Sequence, residues 1–422
     1  MTNDRPRSDQ FHLPPLPAPS SKNLALRVQP AAERALRQGH PWLYADSIRE
    51  QSHEGQPGDL AVIFDRRRRF LAVGLYDPLS SIRVRVLQQG EPAPINGDWF
   101  REQLASAVAR RESLQNDTRT TGYRLVHGEN DGLPALVVDR YEDTLVVKIY
   151  TVAWIPHLKQ VLPALLDVFP ARRVVLRLSR TTAKERAHLH DLRGGQVLYG
   201  PSLNGPVRFQ EHGLHFAADV VEGQKTGFFF DHRENRARVE QLAEEKQVLN
   251  VFAYTGAFSL YAARGGAPLV VSLDLSQPAL AAAEHNFNLN REHPNVANSE
   301  HEMLVGDAFQ ALHNLRQDGR RFDMVVVDPP SFAQSQAEVE RALGAYRKLA
   351  RRALGVLRPG GTLVMASCTS RVTGEQFFST IHESAANRGR PLQEIERTGQ
   401  PPDHPVGFAQ GAYLKCLFAT AP

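Results

Sequence analysis

The feature that most limits the fold of this chain is a run of alternating segments beginning at Val248. Five β-rich stretches, Val248–Phe252, Leu269–Asp274, Met303–Val305, Met324–Asp328 and Thr362–Ser367, are separated by helix-like ones at Ala257–Arg264, Gln277–Asn290, Ala308–Gln317 and Ala337–Val356. Repetition of this kind predicts a mostly parallel, doubly wound sheet. The turn Arg358-Pro359-Gly360-Gly361 suits the passage from the last helix to the last strand, since Gly and Pro end helices. The fold class is α/β, with a Rossmann-like domain expected over residues 206–422.

In an open α/β sheet, ligands bind just beyond the carboxyl ends of the strands. The first strand runs into Phe252-Ala253-Tyr254-Thr255-Gly256-Ala257-Phe258, a small-residue turn in which Gly256 lets a ligand approach the backbone and a helix N-terminus. The second ends in Asp274-Leu275, where an acid can hydrogen-bond ribose hydroxyls. The third is followed by Gly306-Asp307-Ala308, with a carboxylate placed for an adenine amino group, and the fourth ends in Asp328. Capping of helices by Asp274 and Asp307 is compatible with ligand binding. The turn lacks the three spaced glycines of a dinucleotide fingerprint, which disfavours a nicotinamide or flavin oxidoreductase. The cofactor residues expected are Phe252, Tyr254, Thr255, Gly256, Phe258, Asp274, Leu275, Asp307, Ala308 and Asp328. The ordered set resembles the class I S-adenosylmethionine-dependent methyltransferases, and the resemblance implies S-adenosyl-L-methionine as cofactor.

Two further segments lie at strand ends, Asp328-Pro329-Pro330-Ser331-Phe332 and Ser367-Cys368-Thr369. Prolines stiffen the backbone and leave its carbonyls free to accept hydrogen bonds. Such a turn suits a flat aromatic base, with Pro329, Pro330 and Phe332 against it. A thiol alongside suits covalent attack on that base. Carbon 5 of a pyrimidine becomes nucleophilic once a thiolate has added to carbon 6, and loss of the carbon 5 proton later expels the thiolate. Cys368 is therefore the expected nucleophile and Asp328 its catalytic partner. Cys416, within Tyr413–Phe418, reads as strand core. Methylation of an exocyclic amine on guanine or adenine is one alternative, and would need the Asp-Pro-Pro turn without the thiol; a non-catalytic RNA-binding assembly factor is another, which the intact Gly256, Asp274, Asp307 and Asp328 disfavour.

At 422 residues the chain is long enough for two or three domains. Two cysteines give no disulfide framework and point to a cytoplasmic protein. No apolar run is long enough to cross a bilayer. Residues 1–21 are polar and proline-rich and read as a disordered tail. Residues 22–97 form a β-rich unit with strands at Leu24–Val28, Leu60–Phe64, Phe70–Tyr76 and Ser81–Val86. Arg66, Arg67, Arg68 and Arg69 fall at a hairpin there and suit phosphate contact. Gln88–Asp98 has the character of a linker. Residues 98–205 make a small α+β unit, with a helix over Trp99–Gln115, strands Ala135–Tyr141 and Thr144–Tyr150, a helix over Pro156–Val168 and a strand at Arg173–Leu178. A β segment over Val207–Val220 follows. In Gln224-Lys225-Thr226-Gly227-Phe228-Phe229-Phe230-Asp231 the aromatics are either core or a lip for the substrate. In the second case Phe228 would stack on a base and Lys225 would meet a phosphate. Stacking is worth about 1–3 kcal/mol per base, against a few kcal/mol for turning a base out of its stack.

After residue 22 the chain resembles the bacterial 23S ribosomal RNA cytosine-5 methyltransferases that carry an N-terminal PUA domain. The stretches concerned are Arg37–Tyr44, Tyr123–Arg140, Val221–Arg236, Val251–Ser259, Asp328–Phe332, Ser367–Thr369 and Asp403–Val406. The resemblance implies a PUA RNA-binding domain, a central β-β-α-β-β domain and a catalytic methyltransferase domain. It further implies 23S rRNA or a large-subunit assembly intermediate as partner and Cys368 as nucleophile, with no membrane association; it admits a homodimer. The chain departs from the pattern at Pro330-Ser331, where many RNA cytosine-5 methyltransferases carry a second cysteine. Its single-cysteine arrangement also resembles the RNA uridine-5 methyltransferases, so cytosine and uracil both stay open.

Overall fold

The computed structural model describes residues 10–422. The chain divides into two compact units. The first runs to Gly213 and takes in Ala218–Phe230 and Pro402–Phe408; the second comprises Leu214–Ala217, Asp231–Pro401 and Ala409–Pro422. The second unit begins at Leu214, a few residues beyond the expected start at 206, and is interleaved with the first along the chain.

Among the described residues, the first unit holds two sheets. One contains β1 (Leu24–Val28), β2 (Trp42–Tyr44), β3 (Ile48–Gln51), β4 (Leu60–Phe64), β5 (Phe70–Tyr76) and β6 (Ile82–Gln89), with helix α1 (Pro30–Arg37) after β1; the order is β2-β6-β5-β4-β1-β3. Leu24, Leu26 and Val28 face its core at the period of two that a half-buried strand requires. The other sheet follows helices α2 (Gly97–Ala109) and α3 (Glu112–Gln115). It contains β7 (Gly122–His127), β8 (Leu136–Tyr141) and β9 (Thr144–Ile149), then helix α4 (Leu158–Val168), β10 (Arg173–Leu178) and β11 (Val197–Tyr199), in the order β11-β10-β9-β8-β7. β7 adds a strand to the β-β-α-β-β pattern.

Gln88–Asp98 does not separate these sheets as a free linker would. Leu75 and Leu87 enter the same core as Phe100, Trp154 and Leu165, His157 Nε2 lies 2.7 Å from the Gly58 carbonyl, and Thr151 donates to Asp77. The tail is also corrected from residue 10 onward. Phe11 and Leu16 are buried in that core, Phe11 sits 5.3 Å from the Tyr199 ring, and the His12 amide donates to the Leu198 carbonyl at 2.8 Å. The rest of the tail expectation concerns residues 1–9, outside the described residues. Apolar side chains spaced among prolines carry too weak a period to announce such packing.

A hairpin, β12 (Val207–Glu211) and β13 (Leu214–Ala218), leads onward. The second unit follows with α5 (Arg233–Gln241), β14 (Gln247–Val251), α6 (Ala257–Arg264), β15 (Leu269–Asp274), α7 (Gln277–Asn288), α8 (Pro294–Asn298), β16 (Glu300–Val305), α9 (Ala308–Gln317), β17 (Phe322–Val327), α10 (Val339–Val356), β18 (Leu357–Ser367), α11 (Gly374–Ala386), β19 (Gln393–Thr398) and β20 (Lys415–Ala421). The sheet order is β16-β15-β14-β17-β18-β20-β19. Strands β14 to β18 pair in parallel, and β20 runs antiparallel between β18 and β19. From β14 the chain builds outward through β15 and β16, then crosses back to place β17 on the other side. That reversal opens a crevice at the carboxyl ends of β14 and β17. Cys416 is fully buried in β20. No helix among the described residues is long and apolar enough to cross a membrane.

Candidate active site

The turn after β14 is held in an unusual backbone conformation. Phe252, Tyr254 and Gly256 have φ of 64°, 49° and 74°. Left-handed conformations at non-glycine residues cost about 1–3 kcal/mol each and persist where the surroundings hold them. Here the Ala253 amide donates to the Leu273 carbonyl at 3.0 Å, and the Tyr254 amide to Asp274 Oδ2 at 2.8 Å. Asp274 Oδ1 accepts from the Ser276 amide at 2.8 Å, so one carboxylate ties together the ends of β14 and β15. At Gly256 a Cβ would lie 2.6 Å from the Cβ of Ala283, so packing against α7 as well as φ demands glycine.

This cradle fits a nucleoside-bearing cofactor. The Thr255 hydroxyl is buried without a partner. Leu275 and Val305 are exposed large apolar residues, 73% and 53%, at the ends of paired strands, where they can cover a flat ring. Asp307 is exposed and caps α9 through the Gln310 amide at 3.0 Å. Phe258 is buried, edge-on to His232 at 5.4 Å. Ala308, the first residue of α9, is buried and packs into the core beside this turn.

Strands β17 and β18 are parallel neighbours, with Val327 opposite Met365, which sets the two following turns side by side. Asp328 Oδ1 lies 3.2 Å from Nε2 of His232, a residue 3% exposed. His232 Nδ1 accepts from Asn235 Nδ2 at 3.0 Å, and Asn235 Oδ1 accepts from the Thr398 hydroxyl at 2.5 Å. Burial opposes charge on the imidazole, but the attraction and hydrogen bond of Asp328, aided by Asp231, hold its pKa above the ordinary value. With Nδ1 accepting from Asn235, His232 is the neutral Nε2–H tautomer, and that Nε2–H donates to Asp328 Oδ1.

Cys368 is half-buried, and its neighbours are clamped. The Tyr346 hydroxyl lies 2.8 Å from Ser367 Oγ and 2.7 Å from Thr369 Oγ1. Burial first, then Cys368 and Asp328, push the Tyr346 pKa up to about 12, so it stays a neutral phenol. The Phe332 amide donates to Thr369 Oγ1 at 3.3 Å, joining the two turns. Lys415 Nζ donates to the carbonyls of Thr369, 2.7 Å, and Val372, 2.9 Å. Burial lowers the Lys415 pKa to about 8, opposed by electrostatic attraction to Cys368. A cation beside a cysteine is a setting in which thiols become nucleophilic. Pro329 is buried, Pro330 exposed, and the half-buried Phe332 ring meets Tyr346 edge-on at 5.1 Å.

The remaining expected substrate residues lie in the first unit. Arg66–Arg69 occupy the β4–β5 turn, all exposed. Buried Asp65 organises it, accepting from the amides of Arg67 and Arg69 at 2.8 Å and from Arg69 Nε and Arg37 Nη2 at 2.9 Å. The Arg69 amide is the first cause that draws the Asp65 pKa down to about 2. Lys225, φ 57°, accepts from Lys148 Nζ at its carbonyl, and its own Nζ stands 5.8 Å over Phe229. Phe228 is corrected: it is 3% exposed, 5.0 Å from Phe209 and 5.3 Å from Phe230, and presents no open face to a base.

Sequence reasoning overlooked His232, Asn235, Tyr346 and Lys415. Two signals were available. Asp231-His232-Arg233-Glu234-Asn235-Arg236 is a dense polar run directly behind an aromatic triplet, and Lys415 stands alone at the start of an apolar strand.

Residues 194–419 match a family model described as S-adenosylmethionine-dependent methyltransferase, and residues 26–89 match a PUA-like domain. The chain is 48% identical over 406 residues to a Deinococcus radiodurans protein named ribosomal RNA large subunit methyltransferase, covering 95% of this chain and 98% of that one. It is 34% identical over 395 residues to the ribosomal RNA large subunit methyltransferase I of Pseudoalteromonas translucida, with 93% and 98% covered. A Streptococcus mutans structure described as a SAM-dependent methyltransferase has TM-score 0.79 at 22% identity, covering 94% of this chain and 99% of that one. A methyltransferase complexed with SAH matches with the same values. At that identity both show the fold.

Proposed function

The chain belongs to the S-adenosylmethionine-dependent methyltransferases with an N-terminal PUA-like domain, and from that premise we propose that it methylates carbon 5 of a cytosine in large-subunit ribosomal RNA through a covalent bond to Cys368. The observation that carries this reading is the clamped pair of turns that sets Asp328 and Cys368 at the ends of adjacent parallel strands. The names of the relatives support ribosomal RNA, free or in an assembly intermediate, as substrate and hence the cytoplasm as its place of action.

Phe252, Tyr254, Thr255, Gly256, Phe258, Asp274, Leu275 and Asp307 would hold S-adenosyl-L-methionine. When bound, that cofactor supplies an electrophilic methyl group on a sulfonium. Cys368 Sγ, as thiolate, forms a bond to carbon 6 of the base, and the carbon 5–carbon 6 electron pair becomes available to form the carbon–methyl bond at carbon 5. Loss of the carbon 5 proton to a base returns a pair to the ring, the sulfur–carbon 6 bond breaks, and the thiolate is restored. Asp328 Oδ2 accepts from the exocyclic amino group of cytosine, whereas uracil offers a carbonyl at that position and gains no bond. Pro330 and Phe332 flank the ring, and Arg66, Arg67 and Arg68 contact phosphates.

The test is mass spectrometry of nucleosides from RNA treated with labelled methyl donor and either wild-type or Cys368→Ala enzyme. Label in 5-methylcytidine with the wild type, reduced about a thousandfold or more by the substitution, is expected for a lost covalent nucleophile. Label in 5-methyluridine would keep the mechanism and change the base. A methylated guanosine that survives the substitution would remove Cys368 from the chemistry.

A further inference from the structure

A basic groove lies on the second unit, on helices that carry none of the residues assigned to substrate. Arg347, Lys348, Arg351 and Arg352 of α10, Arg316 of α9 and Arg388 beyond α11 line one cavity of about 430 Å³. Among the described residues, none of these six cations is ion-paired with a carboxylate. On α10 they recur at spacings of three and four, which places them on one face, where like charges destabilise a helix. Arg388 feels the same repulsion: burial first, then Arg316 and Arg351, hold its pKa below the ordinary value.

Part of the array is fixed in position. Arg352 Nη1 donates to the Phe309 carbonyl at 2.6 Å, and Lys348 Nζ stands 4.9 Å over the Phe309 ring. Arg316, Arg347, Lys348 and Arg351 are exposed, and Arg352 and Arg388 half-buried. Gly344, one turn before the stripe, leaves open space, because a Cβ there would meet nothing within 4 Å. Folding alone gives no reason to gather uncompensated charge in a cavity; a polyanion that enters it does.

The helix also sets a distance. α10 begins at Val339, shortly after the Asp-Pro-Pro turn. At 1.5 Å per residue, Arg347 to Arg352 lie roughly 12–20 Å along it. Tyr346, one residue before the stripe, reaches the Cys368 turn from the buried face of the helix, so the exposed cations on its other face are left for nucleotides flanking the target base.

We propose that this groove binds the phosphodiester backbone of the RNA substrate, at two or more phosphates flanking the methylated nucleotide. The assignment rests on RNA being the substrate, and its test uses binding so that it stands apart from the methylation reading.

Full-length wild type and the Arg347→Glu/Arg351→Glu variant are titrated against a labelled large-subunit rRNA fragment over a series of salt concentrations. The slope of log affinity on log salt should become shallower by roughly 1.4–1.8 in the variant, two phosphates at about 0.7 for single strand to 0.9 for duplex each, with affinity down roughly tenfold or more near 0.1 M salt. Arg347→Gln/Arg351→Gln should show the same direction without added carboxylates. S-adenosylhomocysteine binding at wild-type strength, by calorimetry, verifies that both variants are folded. Unchanged slope and affinity in both overturn the proposal. So does tight binding of inorganic pyrophosphate that is lost in the variants while RNA binding is not, since the groove would then be a small-anion site. If the variants lose RNA but the wild type yields no 5-methylcytidine, the groove stands and the methylation reading falls.

Discussion

Asp328 accepts from buried His232 on one oxygen, and in the proposed mechanism takes the amino group of the base on the other. Replacing His232 with Leu removes a buried hydrogen bond to a charged group, worth about 1.5–3 kcal/mol, or roughly tenfold to a hundredfold in rate. His232→Gln keeps a nitrogen donor and should restore most of that loss. Single-turnover methylation reads both, and a leucine variant as fast as wild type would mean that Asp328 needs no support. Lys415 makes a pH prediction. Its pKa is about 8 in the fold against 10.5 for an unperturbed lysine, so between these limits the unfolded chain binds more protons and stability rises with pH. Below pH 8 the buried ammonium opposes folding. On the proposed mechanism activity runs the other way, because the ammonium that attracts Cys368 is lost as pH passes about 8. The pH–rate profile should fall there, and Lys415→Arg should carry the falling limb upward; coincident limbs would exclude Lys415 from the chemistry.

The β4–β5 turn shows how an element makes a surface. One buried carboxylate, Asp65, holds two amides and two guanidinium groups, so Arg69 is partly neutralised while Arg66, Arg67 and Arg68 project. Replacing these three with serine should leave the turn folded and reduce the salt slope of RNA binding by about 0.7–0.9 for each phosphate that is no longer neutralised. A slope equal to wild type would make the turn a solvated surface. Elements announced themselves unequally. Leu269–Asp274 and Ala308–Gln317 were legible to the residue, as an apolar run ending in a turn and as an amphipathic period behind an Asp cap. α5 was not, because its buried side chains include Arg233, Asn235 and Arg236, and a period counted on apolar residues passes over them. α11 carries a capping box, Thr373 with Gln376, that could have revealed it. β7 escaped because Tyr-Arg-Leu-Val-His lacks clean alternation; five of the six residues of β7 are buried.

Across the chain as a whole, all residues assigned to the cofactor lie in the second unit. S-adenosylhomocysteine at a hundred times its Kd should stabilise that unit by about 2.7 kcal/mol. Differential scanning calorimetry should show the shift in the transition that contains the second unit; the absence of any shift would discard the cofactor site. The α/β class, the strand ends and the acids and thiol upon them could all be read along the chain, because each is a local pattern: an apolar run, a turn, and the residue that follows. Folding in three dimensions was needed to establish that Phe11 is core, that Phe228 is closed to a base, and that His232, Asn235, Tyr346 and Lys415 surround the turns of Asp328 and Cys368. Those neighbours come from segments far apart along the chain. Which of them meet depends on the order of strands in a sheet and on burial, and no window of sequence contains either.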